Sequence, residues 1–223
     1  MIKSLIYKEW LKSRFVILCM AILLFGFTAY DFLALSKNAE LGGYGFLWEY
    51  AVSKNSILVD NLIHLPVVCG VLLALAQFVP ESYRKCLKLT LHLPLSQSVT
   101  VTVMQGYGVC VLVLLFALQS LSLLLFLGHY LVIDVVWRIL FSMLTWFCAG
   151  VCAYLWTSAL CLEPSWKMKV IEVVLMGAVL SSFYLSSAQM AYRSGILPMF
   201  VVTTLLASLL IHYSVRRFKD GVQ

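Results

Sequence analysis

Residues 80–98 read PESYRKCLKLTLHLPLSQS and separate two long apolar runs, Ser56–Val79 and Val99–Phe126. The insert is basic, and its apolar residues recur at helical spacing, with Tyr83 and Leu87 on one side. A soluble domain would not interrupt its hydrophobic core with such a segment. The pattern therefore predicts two membrane spans joined by a short helix that lies along the membrane surface. The alternative is a plain connector whose basic residues only reflect the enrichment of Lys and Arg in cytoplasmic loops.

The composition places the chain in the membrane class. Of its 223 residues 62% are hydrophobic and 12% are charged, and the mean hydropathy is +0.96. Several apolar runs reach the roughly 20 residues that an α-helix needs to cross a bilayer. We therefore predict an all-α polytopic membrane protein that forms a single domain over residues 1–223. Its net charge of +6 is interpreted as membrane orientation rather than nucleic-acid binding.

Six apolar runs are interpreted as membrane spans. Lys and Arg residues set their orientation, because cytoplasmic loops are enriched in them. Twelve of the 16 lie on the same side as the two termini, which predicts both termini in the cytoplasm. We expect the membrane to be the inner membrane of a bacterium. The longest outer loop is expected at Ser36–Asn55. The predicted spans are Phe15–Leu35, Ile57–Val79, Val99–Leu127, Val136–Leu160, Val170–Met190 and Leu197–Val215.

The N-terminal segment, residues 1–14, has the pattern of an amphipathic helix. Leu5, Ile6 and Trp10 gather on one side of a helical wheel, and Lys8 lies off that side. Such a helix is typical of the bilayer interface, where basic residues face anionic head groups. We therefore predict a separate interfacial helix before the first span.

Glu9 does not fit this interfacial pattern, because its carboxylate falls on the apolar side. A carboxylate that faces an apolar layer is costly unless it is paired. Either Glu9 meets a cation from another segment, with Arg84 and Lys85 as candidates, or the helix does not face lipid alone. A Glu9 that simply reaches water is the third alternative.

A few polar residues within the spans are candidates for a substrate path. Asp60 and His64 are spaced i, i+4 and would share a helix face with Asn61 beside them, but a solvated helix end explains them as well. Ser182 and Ser186 fit close helix packing better than a path. These five residues form a weak prediction.

Sequence motifs of catalysis are missing. The chain has no phosphate-binding loop, no His-Glu-x-x-His zinc motif and no Gly-x-Ser-x-Gly elbow. We expect neither an enzyme nor a metal site. The short loop Leu162–Lys169 sits on the same predicted side as the insert, and Glu163 and Trp166 within it are candidates for a second contact with a partner.

Two short motifs carry a resemblance to a known family. Lys8-Glu9-Trp10-Leu11-Lys12 lies in the amphipathic segment, and Leu93-Pro94-Leu95-Ser96 follows the helical insert Glu81–Leu91 just before the third span. With six predicted spans, the whole chain resembles a small permease of the ABC-2 type, which is the membrane subunit of an ABC transporter.

The resemblance implies a division of labour between chains. Two permease subunits, identical or related, would pair in the bilayer, and a separate phosphate-loop ATPase would bind ATP and Mg²⁺, so that this chain holds no cofactor itself. Residues 80–98 would be the coupling segment seated on that ATPase. The implied interface consists of Glu81, Ser82, Tyr83, Arg84, Lys85, Leu87 and Lys88, together with Glu163 and Trp166.

Two other classes of function stay open at this level. A membrane scaffold or assembly factor would use the basic insert to bind another protein or anionic lipid, without any ATPase. A secondary carrier would take up a solute along an ion gradient by itself. The lack of a charge ladder within the spans counts against a carrier.

Overall fold

A computed structural model of the chain describes residues 2–52, 60–83, 97–186, 192 and 195–220, and in these ranges every regular element is helical. Five of the helices are long and apolar enough to cross a membrane, as expected for a polytopic helical membrane protein. The helices are α1 (Ile2–Val52), α2 (Leu65–Tyr83), α3 (Gln97–Tyr130), α4 (Ile133–Leu162), α5 (Trp166–Ser182) and α6 (Ile196–Asp220), with one 3-10 turn at Asp60–Leu62.

The sixth predicted span corresponds to α5, which differs from the other helices in length. It has 17 residues, and the predicted span Val170–Met190 extends into 187–191, which lie outside the described residues. The six-span count therefore stays a prediction. At its two ends α5 nevertheless approaches opposite ends of the bundle, as the contacts below show.

Helix α4 is the centre of the bundle. Every residue from Ala149 to Ala159 is buried, because α2, α3, α5 and α6 all pack on α4. The other helices expose large apolar side chains along their outer faces. A helix that is apolar all round and fully covered is typical of the core of a helical membrane protein.

The crossing of α2 and α4 depends on two glycines. A Cβ atom at Gly70 would overlap the carbonyl oxygen of Gly150, and one at Gly150 would lie 2.6 Å from the carbonyl oxygen of Pro66. Backbone therefore meets backbone at this point. Small residues permit such close approach between membrane helices, where dispersion forces and packing drive association.

The prediction of a separate interfacial helix at residues 1–14 is wrong. Helix α1 runs without a break from Ile2 to Gly43, where a positive φ of 71° interrupts it before it continues to Val52. No Gly or Pro occurs before Gly26, so nothing in the sequence ends the first helix at Arg14. The expected outer loop from Ser36 is likewise helical as far as Val52.

Pro80, the first residue of the predicted coupling segment, does not begin a separate helix. Pro80 lies inside α2, which continues to Tyr83, although proline removes one backbone donor from a helix interior. Glu81, Ser82 and Tyr83 are therefore the last turn of α2. Residues 84–96, which hold the rest of the predicted coupling helix, lie outside the described residues.

Candidate functional site

One end of the bundle gathers most of the described charged side chains, and we call it the basic end. Here the start of α1 meets the end of α2, because Lys8 Nζ lies 2.8 Å from Glu81 Oε1. The neighbouring Ser82 hydroxyl donates to the Cys161 carbonyl of α4 at 2.6 Å. Arg217 of α6 donates to Glu163, just after α4, at 2.8 Å. The first and last helices thus reach the same end of the bundle.

The centre of this end is a group of four charges, Lys8, Glu9, Lys12 and Glu81, which we call the four-charge cluster. Lys12 Nζ lies 2.8 Å from Glu9 Oε1 and 2.8 Å from Glu81 Oε1. The Glu9 and Glu81 side chains are 0% and 1% exposed. Lys12 is therefore the shared cation of two buried carboxylates that come from different helices.

The charges of the cluster balance, with two cations and two anions. Taking a charge out of water costs several kcal/mol per ion even after relaxation, and only close opposite charges and hydrogen bonds repay that cost. Lys12 also donates to the backbone carbonyl of Gln77 at 3.2 Å. Since Lys12 of α1 pairs with Glu81 of α2 and also bonds the Gln77 carbonyl, the cluster fixes the start of α1 against the last turns of α2.

A hydrogen-bond chain continues from this cluster into the core. The Gln77 side chain donates to the Met104 carbonyl of α3 at 2.7 Å and accepts from the Tyr154 hydroxyl of α4 at 2.8 Å. The ring of Tyr154 lies directly on Gly108, where a Cβ atom would overlap it. Ser13 of α1 shares a hydrogen bond of 2.8 Å with the Tyr107 hydroxyl. The last turns of α2 are thus attached to α1, α3 and α4.

Glu81 and Glu163 were predicted to contact a partner protein, but neither lies on the surface of this chain. Both side chains are buried, and each is paired with a cation of its own chain. Glu163 also accepts from the backbone N–H of Ser165 at 3.3 Å, which shapes the turn into α5. Trp166, in contrast, is 76% exposed. The described part of the chain does not include the other predicted contacts, which are Arg84, Lys85, Leu87, Lys88 and the side chain of Tyr83.

Among the described residues, the cation that meets Glu9 comes from its own helix, and the candidates Arg84 and Lys85 lie outside the described residues. Lys12 is three residues further along, and residues at i, i+3 are neighbours on a helix surface. The sequence interpretation directed the basic residues of this segment to the lipid head groups and so missed this pair. Trp10 remains exposed beside the cluster.

At the opposite end of the bundle, a buried acid was missed by the sequence interpretation. Asp31 of α1 is 3% exposed and accepts a hydrogen bond of 2.6 Å from the Asn61 side chain. Nearby along α1, the Thr28 hydroxyl accepts from Gln119 at 3.3 Å. The sequence could have identified Asp31 as a candidate, because it is an ionisable residue inside a predicted span.

The described residues of the predicted substrate path take part in separate contacts, and the path itself stays a prediction. Asp60 lies in the 3-10 turn and α2 begins only at Leu65, so Asp60 and His64 do not share an α-helical face. Pro66 explains that start, because proline is favoured in the first turn of a helix. Asn61 belongs instead to the contact with Asp31.

The other path residues lie near the end of α5. The His64 ring lies 5.1 Å from the Tyr184 ring, and the Tyr184 hydroxyl donates to the Ile63 carbonyl at 3.2 Å. Ser182 uses its hydroxyl within its own helix, donating to Val179. Ser186 donates its backbone N–H to the Tyr192 hydroxyl at 3.1 Å. These contacts attach the end of α5 to the segment before α2.

Comparison with known proteins adds no family to this geometry. No protein-family model matches the chain, and neither a curated protein nor a solved structure is significantly similar to it.

Proposed function

We propose that this protein is the membrane-spanning permease subunit of an ATP-driven transporter of the ABC-2, exporter-like type. A separate phosphate-loop ATPase would bind ATP and Mg²⁺, and a second permease subunit, identical or related, would complete the membrane unit. The chain would lie in the bacterial cytoplasmic membrane with both termini in the cytoplasm. The observation that supports this proposal is the attachment of the last turns of α2, directly before the basic insert, to three other helices.

The attachment supports a coupling role for a mechanical reason. Residues 84–96 follow Tyr83 without a break in the chain, so a force on the insert acts first on the last turn of α2. Glu81 passes that force to α1 through Lys8 and Lys12, and Gln77 passes it to α3 and α4. A connector with no task other than joining two spans would need none of these buried attachments.

The central position of α4 supports the same proposal. Tyr154 receives the hydrogen-bond chain from Gln77, and α4 in turn contacts α6 through Cys152, whose sulfur lies 3.1 Å from the Thr203 hydroxyl. A shift of α2 therefore cannot leave α4 and α6 unaffected, since packed interiors rearrange as units rather than deform gradually. Movement at the insert would thus change the arrangement of the whole bundle.

Reversing the charge of the insert is expected to break the link with the ATPase. The tagged chain, purified in mild detergent, should retain a phosphate-loop ATPase in a fixed ratio, and the double variant Arg84→Glu, Lys85→Glu should lose most of it. In proteoliposomes the double variant should transport at least about tenfold less substrate per ATP hydrolysed. The reason is that two glutamates would face the acidic surface expected on the ATPase, and like charges across an interface cost several kcal/mol.

A matched control separates this effect from a general loss of positive charge. Lys3 is exposed and belongs to α1 near the basic end, so Lys3→Glu should leave both ATPase retention and coupling unchanged. The melting temperature and elution volume of the double variant should equal those of the wild type. A wild-type chain that retains no ATPase even after gentle cross-linking would contradict the proposal and favour the scaffold.

Asp31 favours a second candidate, an ion-coupled carrier. A buried carboxylate within a membrane span is a functional hypothesis by default, and in carriers such groups bind protons or metal cations. Here the carboxylate is held by Asn61, which lies between α1 and α2 in sequence. Ion binding at Asp31 would therefore act on the connection between these helices.

The carrier is distinguished by uptake without any ATPase. If it is correct, the chain alone in liposomes should accumulate solute under an imposed proton or sodium gradient, and Asp31→Asn should lower that uptake by at least about tenfold, because the ion loses its charged ligand. Glu40→Gln, an exposed acid on the same helix, should have no effect. If the chain is a permease subunit instead, the gradient should drive no uptake by the wild type or by the Asp31→Asn variant.

A further inference from the structure

A cleft of about 660 Å³ lies at the basic end between α2, the end of α4 and the start of α5. Its volume falls within the range of small-molecule pockets. The walls are mainly apolar, with Val79 from α2, Leu160 from α4 and Val173 from α5. Ser82 also lines it, but its hydroxyl already donates to the Cys161 carbonyl. The walls therefore suit a hydrocarbon chain better than a polar group.

The cleft is accessible from the side of α5. Trp166 and Val174, which line it, are 76% and 66% exposed. Tryptophan at the end of a membrane helix is typical of the boundary between head groups and acyl chains. The order along α5, with Trp166 first and valines after it, runs from a polar boundary toward an apolar interior.

Lys169 gives the rim of the cleft a positive charge. It lies in the first turn of α5 and lines the cleft. Within the described ranges no carboxylate oxygen lies within 4.0 Å of its ammonium group. The acid of the adjoining loop, Glu163, is held by Arg217 at 2.8 Å. Glu172, one turn further along α5, is close enough to interact electrostatically with Lys169, but among the described residues it does not reach ion-pair distance. Lys169 therefore lines the cleft without a direct ion pair to a described carboxylate.

We propose that this cleft binds one anionic phospholipid from the leaflet at the basic end. The lipid phosphate pairs with Lys169, and one acyl chain lies along Val79 and Val173. The cleft matches such a lipid in both charge and sequence of groups. The cation at its rim corresponds to the phosphate, and the apolar walls beyond the cation correspond to the acyl chain. Basic pockets between membrane helices are a known way to hold anionic head groups.

A second groove provides an internal comparison. It has a volume of about 700 Å³ and contains Trp10, Arg14 and Phe15, which repeat the combination of tryptophan, cation and apolar residues. All of its walls come from α1, however, and the Arg14 guanidinium lies 4.7 Å from the centre of the Phe15 ring. A groove on one helix has no second wall, so we expect only loose surface contact with lipid there.

The test is a lipid titration of the full chain in mild detergent, followed by native mass spectrometry. Dioleoylphosphatidylglycerol should bind the wild type at one site about tenfold more tightly than dioleoylphosphatidylcholine, since a charge-assisted hydrogen bond contributes at about this level. Lys169→Gln should remove that preference. Val173→Trp, which fills the cleft, should weaken the binding of both lipids.

Three control variants match these changes. Lys167→Gln removes an exposed cation two residues away that does not line the cleft, Arg14→Gln removes the cation of the α1 groove, and Val201→Trp places the same bulk on an exposed face of α6. All three should bind lipid like the wild type. Equal losses in Lys167→Gln and Lys169→Gln, or unchanged binding in Val173→Trp, would overturn the proposal. So would a protein partner that stays on the cleft and excludes the lipid.

Discussion

Replacing Gly70 with alanine is expected to push α2 away from α4 and to lower the free energy of unfolding by about 3 kcal/mol or more, at the upper end of what overpacking costs. The added Cβ would overlap the carbonyl oxygen of Gly150 and lie 3.1 Å from the backbone nitrogen of Tyr154. Both neighbours are backbone atoms of the central helix, so neither can turn aside as a side chain would. The unfolding midpoint in an SDS titration measures the loss.

Gly106 supplies the matched control for this substitution. It is also a helical glycine, in α3, but a Cβ atom there would meet nothing within 4 Å. Gly106→Ala should leave stability unchanged or raise it by up to about 1 kcal/mol, because alanine is the better helix former. Equal effects at Gly70 and Gly106 would show that α2 and α4 do not cross as described.

Replacing Lys12 with methionine is expected to cost about 3 to 5 kcal/mol, the range for breaking a buried ion pair from one side. Methionine keeps most of the length of the side chain but removes the charge and the hydrogen bond to the Gln77 carbonyl. Glu9 then loses its cation while Glu81 keeps Lys8, so one buried carboxylate is left without compensation. The same SDS titration and the melting temperature measure the change.

Two further variants show whether charge is the cause. Lys8→Met should cost about 1 kcal/mol or less, because the Lys8 side chain is 39% exposed and Lys12 still serves both acids. The double variant Lys12→Met, Glu9→Gln should recover more than half of the loss, since it removes the uncompensated anion. Equal losses for Lys8→Met and Lys12→Met, or no recovery in the double variant, would contradict the shared role of Lys12.

The apolar runs were sufficient to predict two of the helices in the second half of the chain. The predicted span Val136–Leu160 falls within α4 at Ile133–Leu162, and Leu197–Val215 falls within α6 at Ile196–Asp220. Length and hydropathy decide such spans because the backbone must satisfy its hydrogen bonds internally in lipid. These two features are local, and the sequence displays them directly.

Contacts between distant residues could not be predicted in the same way. Gln77 and Tyr154 are 77 positions apart, and no local pattern pairs a buried amide with a particular hydroxyl. The course of α1 was mispredicted because an amphipathic pattern does not say whether the polar side of a helix faces the lipid head groups or another helix. Lys8 and Lys12 on its polar side contact Glu81 of α2. Glu9, which did not fit the pattern of an interfacial helix, was the residue that indicated such a contact.

Helix α1 is held at two points along its length. Lys12 joins it to Glu81, and Asp31 joins it to Asn61. The 19 positions between Lys12 and Asp31 span about 28 Å at ~1.5 Å per residue, close to the roughly 30 Å of a bilayer's hydrocarbon layer. A helix held at two points this far apart cannot slide along its axis without breaking one of the contacts. We therefore expect α1 to keep its register against α2 for as long as both contacts persist.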